Sequence, residues 1–283
     1  MKRHDSGKKI TKTVDKEFRL DIPPIKGRIL SDFDEPTIVE ALKDCDALLK
    51  KARFLEESRN RVGVCTLATK DGGTTELVIK EFRIQGVDKW KSLVLPSKAQ
   101  KAWKGSLALV ERGFLTPLPV AYLECRTSLF LKQSYFIAEY VPNIEEVRGL
   151  FRTLSREELF PLLRDLAHFL ARCAGSGILH RDLSDGNVLL ERDSGTPFRF
   201  YLLDTNRIRS QKRVGTFRGI KSLIRLGIPP DLQRFFLAEY LFRSPVKRVH
   251  WFWYRLNKSC FTGYIRLKKF LKLKKLAQKL KIQ

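Results

Sequence analysis

A chain of 283 residues with 43% apolar and 11% aromatic side chains can bury a substantial core, and no polar low-complexity tract marks it as disordered. Fifty-five Lys and Arg against 31 Asp and Glu leave a net charge of +24, so the surface favours polyanions: nucleic acid, acidic lipid headgroups or phosphorylated sugars. Five scattered cysteines without C-x-x-C spacing argue for a reducing compartment and against structural zinc. The N-terminal stretch lacks the apolar core of a signal peptide, and no apolar run reaches the roughly 18 residues of a spanning helix.

Residues 1–30 are basic and mixed, an extension with room for a strand or two. Over 35–52, "EPTIVEALKDCDALLKKA", apolar residues at Ile38, Ala41/Leu42, Cys45 and Leu48/Leu49 keep helical spacing and predict one helix. "ARFLEES", "RVGVCTLAT" and "TELVIKEF" read as strands. The last two are joined by "KDGG", where Asp-Gly tolerates positive φ, so 53–82 is a three-stranded antiparallel meander. "SKAQKAWKGSLALVERG" (97–113) is a helix, with Ser97 as its cap and Gly113 as its stop.

"PVAYLECR" and "SYFIAEYV" add two strands, and "VPN" (141–143) breaks the pattern. The character then becomes helical. "SREELFPLLRDLAHFLARCAGSG" opens with Ser155 and Glu158 at capping-box spacing, and Pro161 stands early enough to cost little. "NVLLE" and "FRFYLLDTN" are short strands, and "DLQRFFLAEYLF" is a late helix. The order predicts an α+β chain in two lobes with a crevice between them: five antiparallel strands with one helix, then a mainly helical half.

Within the helical half, after its long helix, stands "ILHRDLSDGNVLL" (178–190), with an Arg, two acids and an amide between apolar runs. Phosphoryl transfer needs positioned phosphates, a divalent metal on oxygen ligands, and an acid to receive the incoming hydroxyl's proton. The loop supplies Asp182 and, five residues on, Asn187. "YLLDTN" supplies Asp204 at a strand end, and "LVIKEF" supplies Lys80, a point charge suited to the α- and β-phosphates.

His180-Arg181-Asp182 with Asn187 resembles the protein-kinase-like catalytic loop H-R-D-x-x-x-x-N. Lys80 stands where the V-A-I-K lysine belongs. Asp204 stands where the D-F-G aspartate belongs, here as Asp-Thr-Asn. "LALVERGFLTPLPVAYLE", "FIAEYV", the helix running into the loop, and "FYLLDTNRIR" narrow the resemblance to the bacterial Kdo/heptose lipopolysaccharide kinase family, over roughly 50–245.

The resemblance implies an extension at 1–48, an N-lobe at 49–141, a C-lobe at 142–263 and a tail at 264–283. It implies ATP and Mg²⁺, with a core sugar of lipopolysaccharide as acceptor at the inner face of the cytoplasmic membrane. Asp182 would deprotonate the acceptor hydroxyl, Asn187 and Asp204 would hold Mg²⁺, and Lys80 would grip phosphates. Backbone at Glu139 and Val141 would meet adenine. His180 would support the loop.

Three features depart from the pattern. No G-x-G-x-x-G precedes Lys80; only Gly63 lies near that hairpin, and "ESRNRVG" with Arg59 or Arg61 would have to cover the phosphates. The 97–110 helix carries no acid for Lys80, reading Ala102-Trp103 where many relatives have Glu-Trp. No A-P-E follows Asp204, which suits a sugar or lipid acceptor better than a peptide.

Arg207, Arg209, Lys212, Arg213, Arg218, Lys221 and Arg225 stand together without an acid, as a solvated face or as a patch for phosphorylated headgroups. "VHWFWYRL" and "YIRLKKFLKLKKLAQKLKIQ" end the chain as an aromatic cluster and a basic amphipathic helix, fitted either to an anionic membrane or to the second lobe. Nucleic acid ranks lower as a partner, because no binding motif for it appears. Two alternatives stay open: an atypical protein kinase, and a catalytically silent kinase-like membrane scaffold.

Overall fold

The computed structural model describes residues 16–57, 60–84, 90, 92–127, 130–191 and 198–270. A hairpin comes first, β1 (Glu17–Ile22) with β2 (Ile25–Leu30). It joins β3 (Arg53–Glu57), β4 (Asn60–Ala68), β5 (Thr74–Phe82), β6 (Pro119–Thr127) and β7 (Phe130–Glu139) in one antiparallel sheet of order β1-β2-β6-β7-β5-β4-β3. The expected five-stranded sheet is therefore seven-stranded. The extra strands attach through β2, which pairs with β6 from Ile25↔Cys125 to Ile29↔Ala121. Gly27 permits the approach, since a Cβ there would sit 2.0 Å from the Tyr122 carbonyl oxygen.

The single helix expected over 35–52 is two, α1 (Pro36–Leu42) and α2 (Cys45–Lys51). The break lies at Asp44, whose carboxylate accepts the Ala47 N–H at 2.9 Å and caps the second helix instead of continuing the first. Both helices lay their buried residues, Ile38, Leu42, Cys45 and Leu49, against one face of the sheet. The third helix, α3 (Lys98–Val110), is capped by Ser97 and followed by Gly113 at φ 74°, as the sequence predicts. It buries Ala99, Ala102, Trp103 and Leu107 in the same core, with Trp103 against the Tyr122 ring.

The second lobe starts with β8 (Ile144–Glu146), α4 (Val147–Thr153) and α5 (Arg156–Gly175). The Ser155–Glu158 capping box is present. Leu162, Leu163, Leu166 and Leu170 of α5 run through the core. Short strands β9 (Ile178–His180), β10 (Val188–Glu191), β11 (Phe200–Leu202) and β12 (Ile208–Ser210) flank the 181–187 and 203–207 segments in two small sheets, β11-β10-β8 and β12-β9. Helices α6 (Thr216–Ser222), α7 (Gln233–Leu241) and α8 (Arg248–Phe270) complete the lobe. The aromatic cluster at 249–256 forms the first turns of α8, with Tyr254 only 1% exposed. The tail expectation beyond Phe270 falls outside the described residues.

Candidate active site

Strand β9 ends at His180, and the loop after it is built around that ring. His180 is 4% exposed. Its Nε2 lies 2.9 Å from the Leu203 carbonyl oxygen, and its Nδ1 accepts the Asp182 N–H at 3.1 Å. One buried imidazole thus ties the Asp182 backbone to the residue preceding Asp204. Burial lowers its pKa, opposed by the Leu203 carbonyl and the Asp204 charge.

Asn187 closes the loop. Its Nδ2 donates to the Asp182 carbonyl at 2.9 Å, and its own carbonyl accepts the Leu203 N–H at 2.9 Å. With the amide nitrogen so engaged, the side-chain oxygen is the atom left to serve a cation.

Across the crevice, Lys80 sits in β5 between Val62 and Phe136. Its ammonium pairs with Asp204 Oδ1, so the carboxylate that α3 lacks is supplied by the second lobe. Asp204 takes the left-handed backbone, φ 51° and ψ 45°, which a short polar side chain tolerates better than most. Burial would raise its carboxyl, but the Lys80 charge and hydrogen bond outweigh this, aided by His180 and Arg207, and hold it below the usual carboxylate range.

Thr205 then locks this segment to α3. Its hydroxyl lies 2.9 Å from Ser106 Oγ and donates to the Ala102 carbonyl at 3.0 Å. Gly105 allows the contact, because a Cβ there would meet the Thr205 carbonyl oxygen at 2.0 Å. Sequence reasoning missed Gly105, Ser106 and Thr205. The available signal was a glycine in mid-helix, which needs a packing reason.

The four residues expected to carry chemistry, Lys80, Asp182, Asn187 and Asp204, are therefore joined by one set of bonds. Glu139 and Val141 flank the end of β7 at the lobe junction, where the Glu139 and Tyr140 N–H groups bond Leu118 and Glu76 carbonyls. Gly63 is not brought to this site. It pairs with Ile79 within β4, and a Cβ on it would press on Ala52 and Leu49 of the α2 side at 2.6 and 3.3 Å. Arg61 is likewise turned away, pairing with Asp46 and, at 2.6 Å, with Glu81. Arg59 falls outside the described residues.

As a metal site, the donors are oxygens: the Asp204 carboxylate and the Asn187 amide. No cluster of three or more His, Cys, Asp or Glu side chains forms among the described residues. A small oxygen set completed by phosphates and waters fits Mg²⁺, which is reluctant to shed its hydration.

An antiparallel sheet with helices α1, α2 and α3 packed on it, set over a mainly helical lobe with these four groups between, defines the protein-kinase-like class. Over residues 48–228 the chain matches the Lipopolysaccharide kinase (Kdo/WaaP) family, and it belongs to that family of phosphotransferases. Its fold is similar to that of a solved structure of WaaP in complex with acyl carrier protein, with a TM-score of 0.51 at 19% identity over 74% of this chain and 88% of that one. No curated protein matches the chain.

Proposed function

We propose that the protein transfers the γ-phosphoryl group of ATP to a sugar hydroxyl of a membrane glycolipid, the Kdo or heptose of the lipopolysaccharide inner core. The observation that supports this most is the joining of Lys80, Asp204, Asp182 and Asn187 across one crevice. The Lys80 ammonium moves from Asp204 to the α- and β-phosphates when nucleotide enters. Asp204 and Asn187 would hold Mg²⁺, which would supply neutralisation of the phosphate charge. Backbone at Glu139 and Val141 meets adenine. Asp182 orients the acceptor hydroxyl and takes its proton. After Asp204 the chain passes through β12 into α6 with no peptide-docking segment of the A-P-E kind, which favours a sugar over a protein acceptor.

The test is transfer of label from ATP to Kdo-bearing lipid A. Wild type should label the glycolipid, and Asp182→Asn should not. Label entering protein instead would favour the atypical protein kinase. A nucleotide-dependent melting shift without turnover would favour the silent scaffold.

The exposed face of α8 supports a peripheral position, which we place on the inner face of the cytoplasmic membrane. No described helix is long and apolar enough to cross a membrane. On α8, however, Val249, Phe252, Leu256, Leu267 and Phe270 are exposed along the face opposite buried Tyr254, Phe252 at 66% and Phe270 at 82%. Arg248, Arg255 and Arg266 flank the stripe. Such a helix lies in an anionic interface. Deleting 264–283 should release the protein from anionic vesicles in a sedimentation assay while sparing ATP hydrolysis; unchanged vesicle binding would refute the attachment.

A further inference from the structure

Asp182, the group placed to take the acceptor's proton, is bracketed by two guanidinium groups. Arg225 Nη1 pairs with its Oδ1, and Arg207 Nε lies 3.9 Å from its Oδ2. Both arginines belong to the acid-free tract that the sequence offers as either a solvated face or a headgroup patch.

Arg225 is held from behind by α8. Its guanidinium lies 4.9 Å over the Phe261 ring. The Lys258 ammonium donates to the carbonyls of Ile224 and Leu226, at 3.2 and 3.0 Å, on either side of Arg225. Lys258 and Phe261 stand four and seven residues after buried Tyr254, on the packed face of α8. Arg225 and Asp182 nonetheless remain 37% and 32% exposed at their side chains, so an incoming group can reach both.

A carboxylate held by an arginine is a weaker base toward an alcohol than a free one, so opening the pair raises its capacity to take the proton. A neutral sugar offers the guanidinium nothing in exchange. An anionic substituent beside the reacting hydroxyl offers it an equivalent partner in the same fork geometry.

We infer that Arg225 and Arg207 form an anion subsite for the acceptor, taking a carboxylate or phosphate adjacent to its reacting hydroxyl, and that their exchange from Asp182 to that group frees Asp182 for the reaction. Phe261 and Lys258 are positioning residues for Arg225. In the step itself the acceptor O–H bond breaks and its proton passes to Asp182. The acceptor oxygen bonds the γ-phosphorus as the bond from that phosphorus to the β–γ bridging oxygen breaks, and ADP leaves. The inference rests on the sugar-kinase reading above.

The experiment compares three soluble acceptors at saturating ATP: a Kdo glycoside, its carboxyl methyl ester, and a heptose glycoside bearing a neighbouring phosphate. Wild type should prefer the charged acceptors over the ester by about ten- to hundredfold in kcat/KM, the worth of a charged hydrogen bond. Turnover of the Kdo glycoside alone, or of the heptose phosphate alone, identifies the anion as carboxylate or phosphate. Arg225→Ala should abolish the preference, and Arg225→Lys should retain part of it. Phe261→Ala should raise the acceptor KM and leave the ATP KM in place, with Phe261→Tyr restoring it. A wild type without preference, or an Arg225→Ala variant of wild-type melting temperature that keeps it, overturns the subsite. Calorimetric binding of the same acceptors without ATP separates the two claims. A binding preference that depends on Arg225, with no transfer to any sugar, overturns the sugar-kinase reading alone. Transfer without such a preference overturns the subsite alone.

Discussion

Lys80 and Glu81 are neighbours on β5, and the strand turns them to opposite faces of the sheet. On the crevice face Lys80 pairs with Asp204, and their side chains are 21% and 35% exposed. On the far face Glu81 meets Arg61, which also holds Asp46, with Glu81 and Arg61 only 6% and 16% exposed. Cys45 and Tyr135 close around that network, and burial raises both of their pKa values. Of the two sites on this strand, Lys80–Asp204 lies at the crevice, where the proposed mechanism exchanges its partner for phosphate, and Glu81–Arg61 ties β5 to β4, with Asp46 of α2 at its more open edge, 37% exposed. The burial of the carboxylate, 6% exposed in Glu81 and 35% in Asp204, separates the two pairs more than charge does.

The comparison breaks most sharply at Lys80. Lys80→Ala should lower transfer by about a thousandfold, the scale of losing a preorganised electrostatic contact to the transferring group. Its unfolding midpoint should change little, since a partly exposed pair contributes little stability. Glu81→Leu should do the reverse. It deprives a buried guanidinium of one of its two carboxylates, leaving it Asp46, and should cost about 1–3 kcal/mol, read by urea unfolding, with activity per folded molecule retained. Replacing Arg61 and Glu81 together should recover most of that loss. If Glu81→Leu instead removes activity at wild-type stability, the two faces have been assigned the wrong way round.

Gly105→Ala tests how firmly the crevice face is held together. A methyl group at 2.0 Å from the Thr205 carbonyl has to push α3 off the Asp204 segment. The expected cost is about 1–3 kcal/mol, with kcat falling as Lys80 and Asp204 lose alignment. A variant with normal kcat and normal stability would show that α3 does not position the segment.

The crevice was legible where residue type and spacing coincide. His180, Asp182 and Asn187 stand at fixed intervals between apolar runs, and Lys80 and Asp204 gain meaning only from their order around that loop. The strand or two expected within 1–30 are present, but their joining the main sheet was not legible, because β1 buries only Leu20 and so lacks alternation. Asp44 was hidden for another reason: the apolar spacing continues through it, and only its side-chain bond to Ala47 shows that the helix restarts. The basic tract was visible as charge, yet nothing in its spacing distinguishes Arg225, which reaches Asp182, from Arg218, which bonds Gln211. The ring of Phe261 and the ammonium of Lys258 make that selection, and they lie in a helix whose register against the lobe is a tertiary fact.

The smallest expected effect is one of pH, and its sign follows from His180. The buried ring spends Nε2 on the Leu203 carbonyl and Nδ1 on the Asp182 N–H, so a second proton would have to displace that N–H. Burial depresses its folded pKa, against the opposing pull of the Leu203 carbonyl and Asp204, while the unfolded imidazole titrates near its ordinary value of about 6.5. As pH falls through that value the unfolded chain binds the proton first, so stability is full above it and declines below it, by at most about 1.4 kcal/mol per pH unit for one proton. His250, held down by burial beside Lys247 and Arg243, adds the same sign. His180→Gln should be less stable at every pH but should lose part of the decline between neutral and pH 5.5 in thermal unfolding. An undiminished slope in that variant would mean that the proton is taken up elsewhere, and that the neutral ring is not what joins Asp182 to the Asp204 segment.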